Sequence, residues 1–277
     1  MRRFLTVLNV ILLFAVLAVG WGLWRGLHLD DRVVFLPVER PDRDVLTIRG
    51  EAALGTVRHQ IVPLGGHDIA LTTVGPDAGP LIVACFGNAS DRYEHGADYA
   101  AKVGAFGQAV VWDYPGYGDS SGHEGAEAVN AVASDLAAWL EEKAEDRPLV
   151  VWGHSLGGFV CANLASRVSR VDAVILETTA PGIQAVADAW TPDWLPLRVT
   201  FDEALLAYDI ADALSGVEAP VLIIGAGRDR VLPVHLSRQL SAELPEATYL
   251  ELPEATHFSA GFDPRAQAAV EALLDGL

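Results

Sequence analysis

Residues 153–157 place a serine between two glycines, in the order Gly-His-Ser-Leu-Gly. The stretch follows an apolar run, 149–152, that predicts a buried strand, and it opens a segment with helical character, 156–168. A tight turn between strand and helix lifts the Ser155 hydroxyl beside a helix N-terminus, which favours developing negative charge. The pattern predicts a nucleophile elbow with Ser155 as the nucleophile, and the backbone N–H of Leu156 as a donor to the oxyanion.

Short apolar runs alternate with helix-like segments from about residue 56 onward. Two runs, 57–64 and 68–74, flank Gly65-Gly66, which predicts a hairpin. Further strands are predicted at 81–86, 109–112, 149–152, 171–176, 221–224 and 248–252, and helices at 126–140, 156–168, 233–244 and 264–274. This order predicts an α/β fold in which a mostly parallel sheet carries helices on both faces and has an antiparallel edge.

In such a sheet the binding crevice lies beyond the carboxyl ends of the strands, so catalytic residues are expected in the turns that follow strands. Residues 181–212 interrupt the alternation and contain Trp190 and Trp194 together with several prolines. We interpret this segment as a small cap that presents apolar and aromatic surface over the crevice.

The elbow is accompanied by a second diagnostic stretch, 113–120, which reads Asp-Tyr-Pro-Gly-Tyr-Gly-Asp-Ser. It resembles the D-x-P-G-x-G-x-S loop of the α/β-hydrolase superfamily, and the sequence after about residue 55 is similar to the monoacylglycerol-lipase-like and serine-aminopeptidase-like branch. The resemblance implies an α/β-hydrolase fold. It also implies that this loop is architecture rather than catalytic machinery.

The resemblance implies the chain order serine, acid, histidine. Residues 227–233 resemble the family's G-x-x-D-x-x-V-P loop, which implies that Asp229 is the acid that orients the histidine while remaining ionised. His257 matches the family's late histidine position and would act as general base. Glu177 is the alternative acid, because some family members place the acid after that strand. His154 within the elbow is expected to give structural support.

The turn after the strand at 81–86 resembles the family's His-Gly-containing turn, with Phe86 in place of the histidine. Acyl transfer requires donors aimed at the oxyanion of a tetrahedral intermediate. The resemblance implies that one comes from this turn, and the backbone N–H of Asn88 is the expected second donor. Ala89 is the neighbouring alternative.

The N-terminal stretch 4–24 is almost wholly apolar and long enough for one bilayer crossing. Arg2 and Arg3 precede it, and Trp21 and Trp24 lie near its far end, which favours a cytoplasmic N-terminus. We therefore predict a transmembrane signal anchor over residues 1–25, a juxtamembrane linker over 26–55, and a hydrolase domain over 56–277 on the extracytoplasmic side of the membrane. A cleaved signal peptide is the alternative.

The formal net charge is −18, from 37 acidic and 19 basic residues. Such a surface repels phosphate backbones, so we expect no nucleic-acid partner, and membrane attachment must come from apolar insertion. The sequence has no metal-binding motif and no dinucleotide fingerprint, so no metal or cofactor is expected. Cys85 and Cys161 lie in apolar runs and are interpreted as small buried hydrophobes rather than a disulfide.

These observations predict a serine hydrolase that acts on a small-molecule acyl substrate. The expected reaction is cleavage of a carboxylic ester or thioester, with an apolar acyl group, through an acyl-enzyme on Ser155. A peptidase of the same fold, aminopeptidase-like, is one alternative, and a non-catalytic interaction module is another. The oligomeric state is left open.

Overall fold

The computed structural model describes residues 20, 22, 26–30, 34–38, 56–93, 95–192 and 194–277. The predicted membrane segment 1–25, apart from two glycines, and most of the predicted linker 26–55 therefore lie outside the described residues. Within the described ranges, no helix is long and apolar enough to cross a bilayer.

A twisted sheet with helices on both faces forms the centre of the described structure, as predicted. The strands are β1 (Leu27–Leu29), β2 (Val57–Leu64), β3 (His67–Val74), β4 (Leu81–Cys85), β5 (Gln108–Trp112), β6 (Leu149–His154), β7 (Ala173–Glu177), β8 (Val199–Phe201), β9 (Val221–Ala226) and β10 (Thr248–Leu252). The α-helices are α1 (His95–Gly104), α2 (Ala126–Ala144), α3 (Leu156–Ala165), α4 (Ile183–Trp190), α5 (Glu203–Leu206), α6 (Ile210–Leu214), α7 (His235–Glu243) and α8 (Pro264–Leu274), with a 3₁₀ helix at Ala260–Phe262.

Eight of the described strands share one sheet, in the order β10-β9-β7-β6-β4-β5-β3-β2. Pairing is parallel from β10 to β5 and antiparallel for β5 with β3 and β3 with β2. The predicted hairpin is confirmed, and its two turn residues, Gly65 and Gly66, have φ angles of 56° and 80°. Positive φ at both central positions is what a type I′ hairpin turn requires.

The central strands are buried on both faces, which explains why they appear as continuous apolar runs. Alternate residues of β6 belong to different clusters: Val151 packs with α2 and α3, whereas Val150 and Trp152 pack with α1 and α8. The parallel arrangement brings the carboxyl ends of β4, β6, β7, β9 and β10 to one edge of the sheet, so the turns that follow them can share a crevice.

Part of the predicted linker packs on the domain. Strand β1 pairs in parallel with β8, and the His28 ring bonds to Asp202 at 2.9 Å. Phe35 is fully buried in the cluster that also contains Tyr208. The described residues between 26 and 38 therefore belong structurally with the domain, because their apolar side chains complete its core.

The interpretation of the two cysteines as unpaired hydrophobes is wrong. Cys85 ends β4, Cys161 lies in α3, and the two form a disulfide with their Cα atoms 5.8 Å apart. Both are fully buried, as expected. They become neighbours because α3 packs directly on the end of β4, a contact that a sequence separation of 76 residues does not reveal.

The disulfide should contribute measurably to stability. The two cysteines are separated by 76 positions in the sequence. Opening this loop should lower the free energy of unfolding by about 2–4 kcal/mol, since the unfolded chain gains freedom. Urea unfolding of the wild type with and without reductant would measure this difference. The Cys85→Ala/Cys161→Ala variant is the control and should not respond to reductant. Identical unfolding midpoints for oxidised and reduced wild type would contradict the expectation.

Candidate active site

Ser155 sits in a strained turn between β6 and α3. Its φ and ψ angles are 56° and −123°, a combination that non-glycine residues rarely adopt. Its N–H donates to the Glu177 carbonyl at 3.0 Å, and its carbonyl accepts from the Thr179 hydroxyl at 2.9 Å. A Cβ at Gly157 would overlap the Cys85 carbonyl, so the helix can approach β4 this closely only with glycine there. The turn is held from both sides and presents Ser155 at the helix N-terminus.

His257 and Asp229 form a buried acid–base pair. The ring Nδ1 of His257 lies 2.7 Å from Oδ2 of Asp229, and Oδ1 accepts the backbone N–H groups of Val231 and Leu232 at 2.8 Å each. A carboxylate in this position holds the proton on Nδ1 and leaves Nε2 as the basic nitrogen. The structure thus brings together two residues that are 28 positions apart in the sequence, with the geometry a general base requires.

The structure shows no hydrogen bond between the Ser155 hydroxyl and the His257 ring. Ser155 Oγ hydrogen-bonds to no residue in the part of the chain that the structure describes. The His257 ring is nevertheless adjacent to the elbow, since its centroid lies 4.8 Å from that of His154, the neighbour of Ser155. In enzymes without substrate, catalytic hydrogen bonds are often long and tighten when the reacting complex forms.

The backbone of His257 is tied to the elbow. Its carbonyl accepts a hydrogen bond from Nε2 of His154 at 3.0 Å and from the Thr178 hydroxyl at 3.3 Å. Burial lowers the pKa of His154 to about 4, although the charge of Glu177 opposes this shift. His154 is therefore neutral near pH 7, and its single ring proton lies on Nε2 because a carbonyl oxygen can only accept.

The turn after β4 presents a free backbone donor. The N–H of Ala89 is engaged by the side-chain oxygen of Asn88 at 3.0 Å. The backbone N–H groups of Asn88 and Leu156 donate to no acceptor within the described ranges. Of the two neighbours considered for the second oxyanion donor, Asn88 is therefore the one whose N–H is available.

Two tyrosines that the sequence analysis did not assign to the site hold this turn in place. The Tyr114 hydroxyl donates to the Phe86 carbonyl at 2.6 Å, and the two rings stack with centroids 4.7 Å apart. The Tyr117 hydroxyl donates to Asn88 Oδ1 at 2.9 Å. Both belong to the loop 113–120, which follows β5, the neighbour of β4. The available signal was two aromatic residues inside a glycine-rich turn at that edge of the sheet.

Among the described residues, Glu177, the alternative acid, makes no hydrogen bond to the His257 ring, whose partner is Asp229. Burial raises its pKa, but the Lys102 charge, His154 and several hydrogen bonds outweigh burial and lower the pKa to about 2. The carboxylate is held by Lys102 Nζ at 2.6 Å, Trp152 Nε1 at 2.9 Å, the Gly261 N–H at 2.9 Å and the Tyr99 hydroxyl at 3.1 Å. Glu177 is thus an ionised, buried carboxylate that holds neighbouring side chains in place next to the elbow.

An apolar cavity of about 330 Å³ reaches Ser155. Segment 181–212, the predicted cap, supplies five of its lining residues, and the remaining lining residues are largely aliphatic. The lining comprises Leu29, Val34, Asn88, Ser155, Leu156, Phe159, Ile183, Val186, Ala187, Trp190, Phe201, Val231 and Leu232. Trp190 is 60% exposed and donates to the Val231 carbonyl at 3.1 Å, so it bridges two sides of the cavity mouth.

Metal ligation finds no support in the part of the chain that is described: no group of three or more His, Cys, Asp or Glu side chains is arranged to hold an ion.

The two acids should respond differently to amidation. Asp229→Asn should lower kcat by roughly 10³–10⁴-fold, because the amide no longer fixes the required tautomer of His257. Glu177→Gln leaves the buried Lys102 charge without its partner and should lower the free energy of unfolding by about 3 kcal/mol, with a much smaller loss of kcat in the folded protein. Steady-state kinetics and urea unfolding of both variants measure the two effects. An active Asp229→Asn protein beside a folded but inactive Glu177→Gln protein would reverse the assignment.

Comparison with known proteins agrees with this geometry. The profile of a family described as "alpha/beta hydrolase fold" matches residues 81–208. An uncharacterised protein of Mycobacterium tuberculosis is 33% identical over 187 residues, which cover 66% of this chain and 63% of that protein. The lysophosphatidylserine lipase ABHD12 of Danio rerio is 32% identical over 181 residues, 58% of this chain and 46% of that one. The chain thus spans about half to two-thirds of the length of these relatives.

Among solved structures, the Pyrococcus furiosus esterase Pf2001 superposes with a TM-score of 0.65 at 14% identity, over 87% of this chain and 98% of that one. At this identity the likeness concerns the fold alone. Profile, relatives and fold agree with the elbow and the parallel sheet described above, and together they support assignment of the chain to the α/β-hydrolase superfamily.

Proposed function

We propose that this protein is a membrane-anchored serine hydrolase that cleaves a carboxylic ester or thioester with an apolar acyl group. The observation that carries the proposal is the buried Asp229–His257 pair, which lies beside a strained turn that presents Ser155 to an apolar cavity. Such a turn is conformationally costly and is typical of functional sites.

The proposed reaction proceeds through an acyl-enzyme. Ser155 Oγ attacks the carbonyl carbon while His257 Nε2 takes the hydroxyl proton, and Asp229 stabilises the imidazolium that results. The oxyanion binds the N–H groups of Leu156 and Asn88. Collapse of the intermediate breaks the bond to the alcohol or thiol, which leaves with the proton from His257. Water, deprotonated by the same ring, then hydrolyses the acyl-enzyme and restores Ser155.

The apolar cavity supports the choice of acyl group. Its walls are mostly aliphatic and aromatic, so an alkyl chain would gain burial of apolar surface at roughly 25 cal/mol per Å². The names of the relatives point in the same direction: one is a lysophosphatidylserine lipase and a structural neighbour is an esterase. Because the chain covers less than half of that lipase, its substrate is not carried over.

Two observations support an anchor with the domain on the extracytoplasmic side. The apolar stretch 4–24 is long enough to span a bilayer and follows two arginines. The disulfide between Cys85 and Cys161 is the kind of bond that persists in oxidising compartments and is rare in the cytosol.

Activity-based labelling tests the catalytic proposal. A fluorophosphonate probe should label the wild type and the Ser166→Ala variant, whose substitution lies at the far end of α3, but should not label Ser155→Ala. The wild type should hydrolyse p-nitrophenyl esters and thioesters faster than aminoacyl anilides. Preference for the anilides would favour the peptidase alternative. Undiminished labelling of Ser155→Ala, or no labelling and no turnover at all, would remove the proposal.

Membrane extraction tests the anchor. The full chain expressed in bacteria should stay in the membrane fraction after an alkaline carbonate wash, and protease added outside spheroplasts should degrade its domain. The Leu12→Arg/Leu13→Arg variant should be released by the wash, because two charges at the centre of the apolar stretch oppose insertion. Release of the wild type by the same wash would contradict anchoring.

A further inference from the structure

A second cavity, of about 270 Å³, adjoins the same elbow. It shares only Asn88 with the apolar cavity, and its lining combines polar side chains with aromatic ones. Its polar lining includes His154, Lys102 and Glu177, and the solvent-exposed Phe258 side chain also lines it. We call it the polar cavity.

The polar cavity is next to the reacting groups. A Cβ built on Gly87, one of its lining residues, would lie 3.2 Å from the Ser155 Cβ and 3.1 Å from His154 Nδ1. The nucleophile and this ring nitrogen therefore approach the same face of Gly87. Phe258 packs edge-on against the His257 ring with centroids 5.0 Å apart. Through Phe258, the cavity wall thus packs against the base that must protonate a leaving group.

His154 brings an unused hydrogen-bond acceptor to this wall. Its Nε2–H is committed to the His257 carbonyl, so in the neutral ring Nδ1 carries a lone pair and no proton. Nδ1 has no hydrogen-bond partner among the residues that the structure describes, and the residue as a whole is 8% exposed. An acceptor that has no protein partner and opens on a cavity can take a hydrogen bond from a ligand or a water molecule that supplies a donor.

We propose that the polar cavity receives the alcohol leaving group and that His154 Nδ1 accepts a hydrogen bond from a second hydroxyl on that alcohol. His154 is then a specificity-determining residue, and the preferred substrates are esters whose alcohol carries a hydrogen-bond donor. This inference rests on the proposed ester hydrolysis at Ser155. The acyl chain occupies the apolar cavity and the alcohol occupies the polar one, so cleavage separates the two halves.

A matched pair of esters isolates the contact. Hydroxyethyl hexanoate and propyl hexanoate share the acyl group and nearly the same size of alcohol, but only the first offers a donor. The wild type should prefer the hydroxyethyl ester by about fivefold in kcat/KM, the effect of one neutral hydrogen bond. If neither ester is hydrolysed, the proposed function fails. If both are hydrolysed with a ratio at or below one, the specificity proposal fails and the proposed function stands.

Two substitutions of His154 distinguish a role in substrate specificity from a purely structural role. In His154→Gln the amide nitrogen can replace Nε2 as donor to the His257 carbonyl, but no acceptor remains at the Nδ1 position, so the ratio should fall to about one. In His154→Asn an amide oxygen can replace Nδ1 while the contact to the carbonyl is lost, so the overall rate should fall and the preference should persist. A merely structural role would change both esters equally in both variants. An unchanged ratio in His154→Gln overturns the proposal.

Discussion

Close contact between the start of α3 and the carboxyl ends of β4 and β6 is the constraint on which the site depends. Without a side chain at Gly157, the helix backbone reaches the carbonyl of Cys85 directly. That contact leaves Ser155 with a left-handed φ, and the cost is offset by hydrogen bonds from the backbone and from Thr179. The disulfide between β4 and α3 joins the same two elements covalently. The nucleophile is therefore positioned by packing rather than by its own conformational preference.

The two carboxylates near this turn, Glu177 and Asp229, have different partners and different roles. Glu177 and Lys102 form a buried ion pair under the elbow, where hydrogen bonds from Trp152 and Gly261 complete the environment of the carboxylate. Such pairs stabilise poorly in isolation, but removal of one partner leaves an uncompensated charge. Asp229 lies on the other side of the turn, where its Oδ2 contacts the His257 ring. Lys102 is thus the cationic partner of Glu177 and the His257 ring is the partner of Asp229, so the two carboxylates serve different groups.

Prediction from sequence succeeded where local pattern and topology agree. The elbow, the Gly65-Gly66 hairpin and the mostly parallel sheet with its antiparallel edge follow from apolar runs, glycine positions and the alternation of strands with helices. It missed α1, whose described side chains include only three buried apolar ones, Tyr99, Ala100 and Val103, too few to give a clear helical period. It also missed the roles of Tyr114 and Tyr117, because their hydroxyls bond to a turn that follows a different strand.

By itself, the sequence determined that Ser155 stands between a strand and a helix and that Asp229, Glu177 and His257 all follow strands. It ranked Asp229 above Glu177 and Asn88 above Ala89 only through a family resemblance, and it led to the wrong interpretation of the two cysteines. Those outcomes belong to the tertiary structure, because they depend on distances of a few ångströms between segments far apart in the chain. In the folded chain His257 hydrogen-bonds to Asp229, and Cys85 and Cys161 form a disulfide. The backbone N–H of Ala89 is engaged by the Asn88 side chain, whereas that of Asn88 is available.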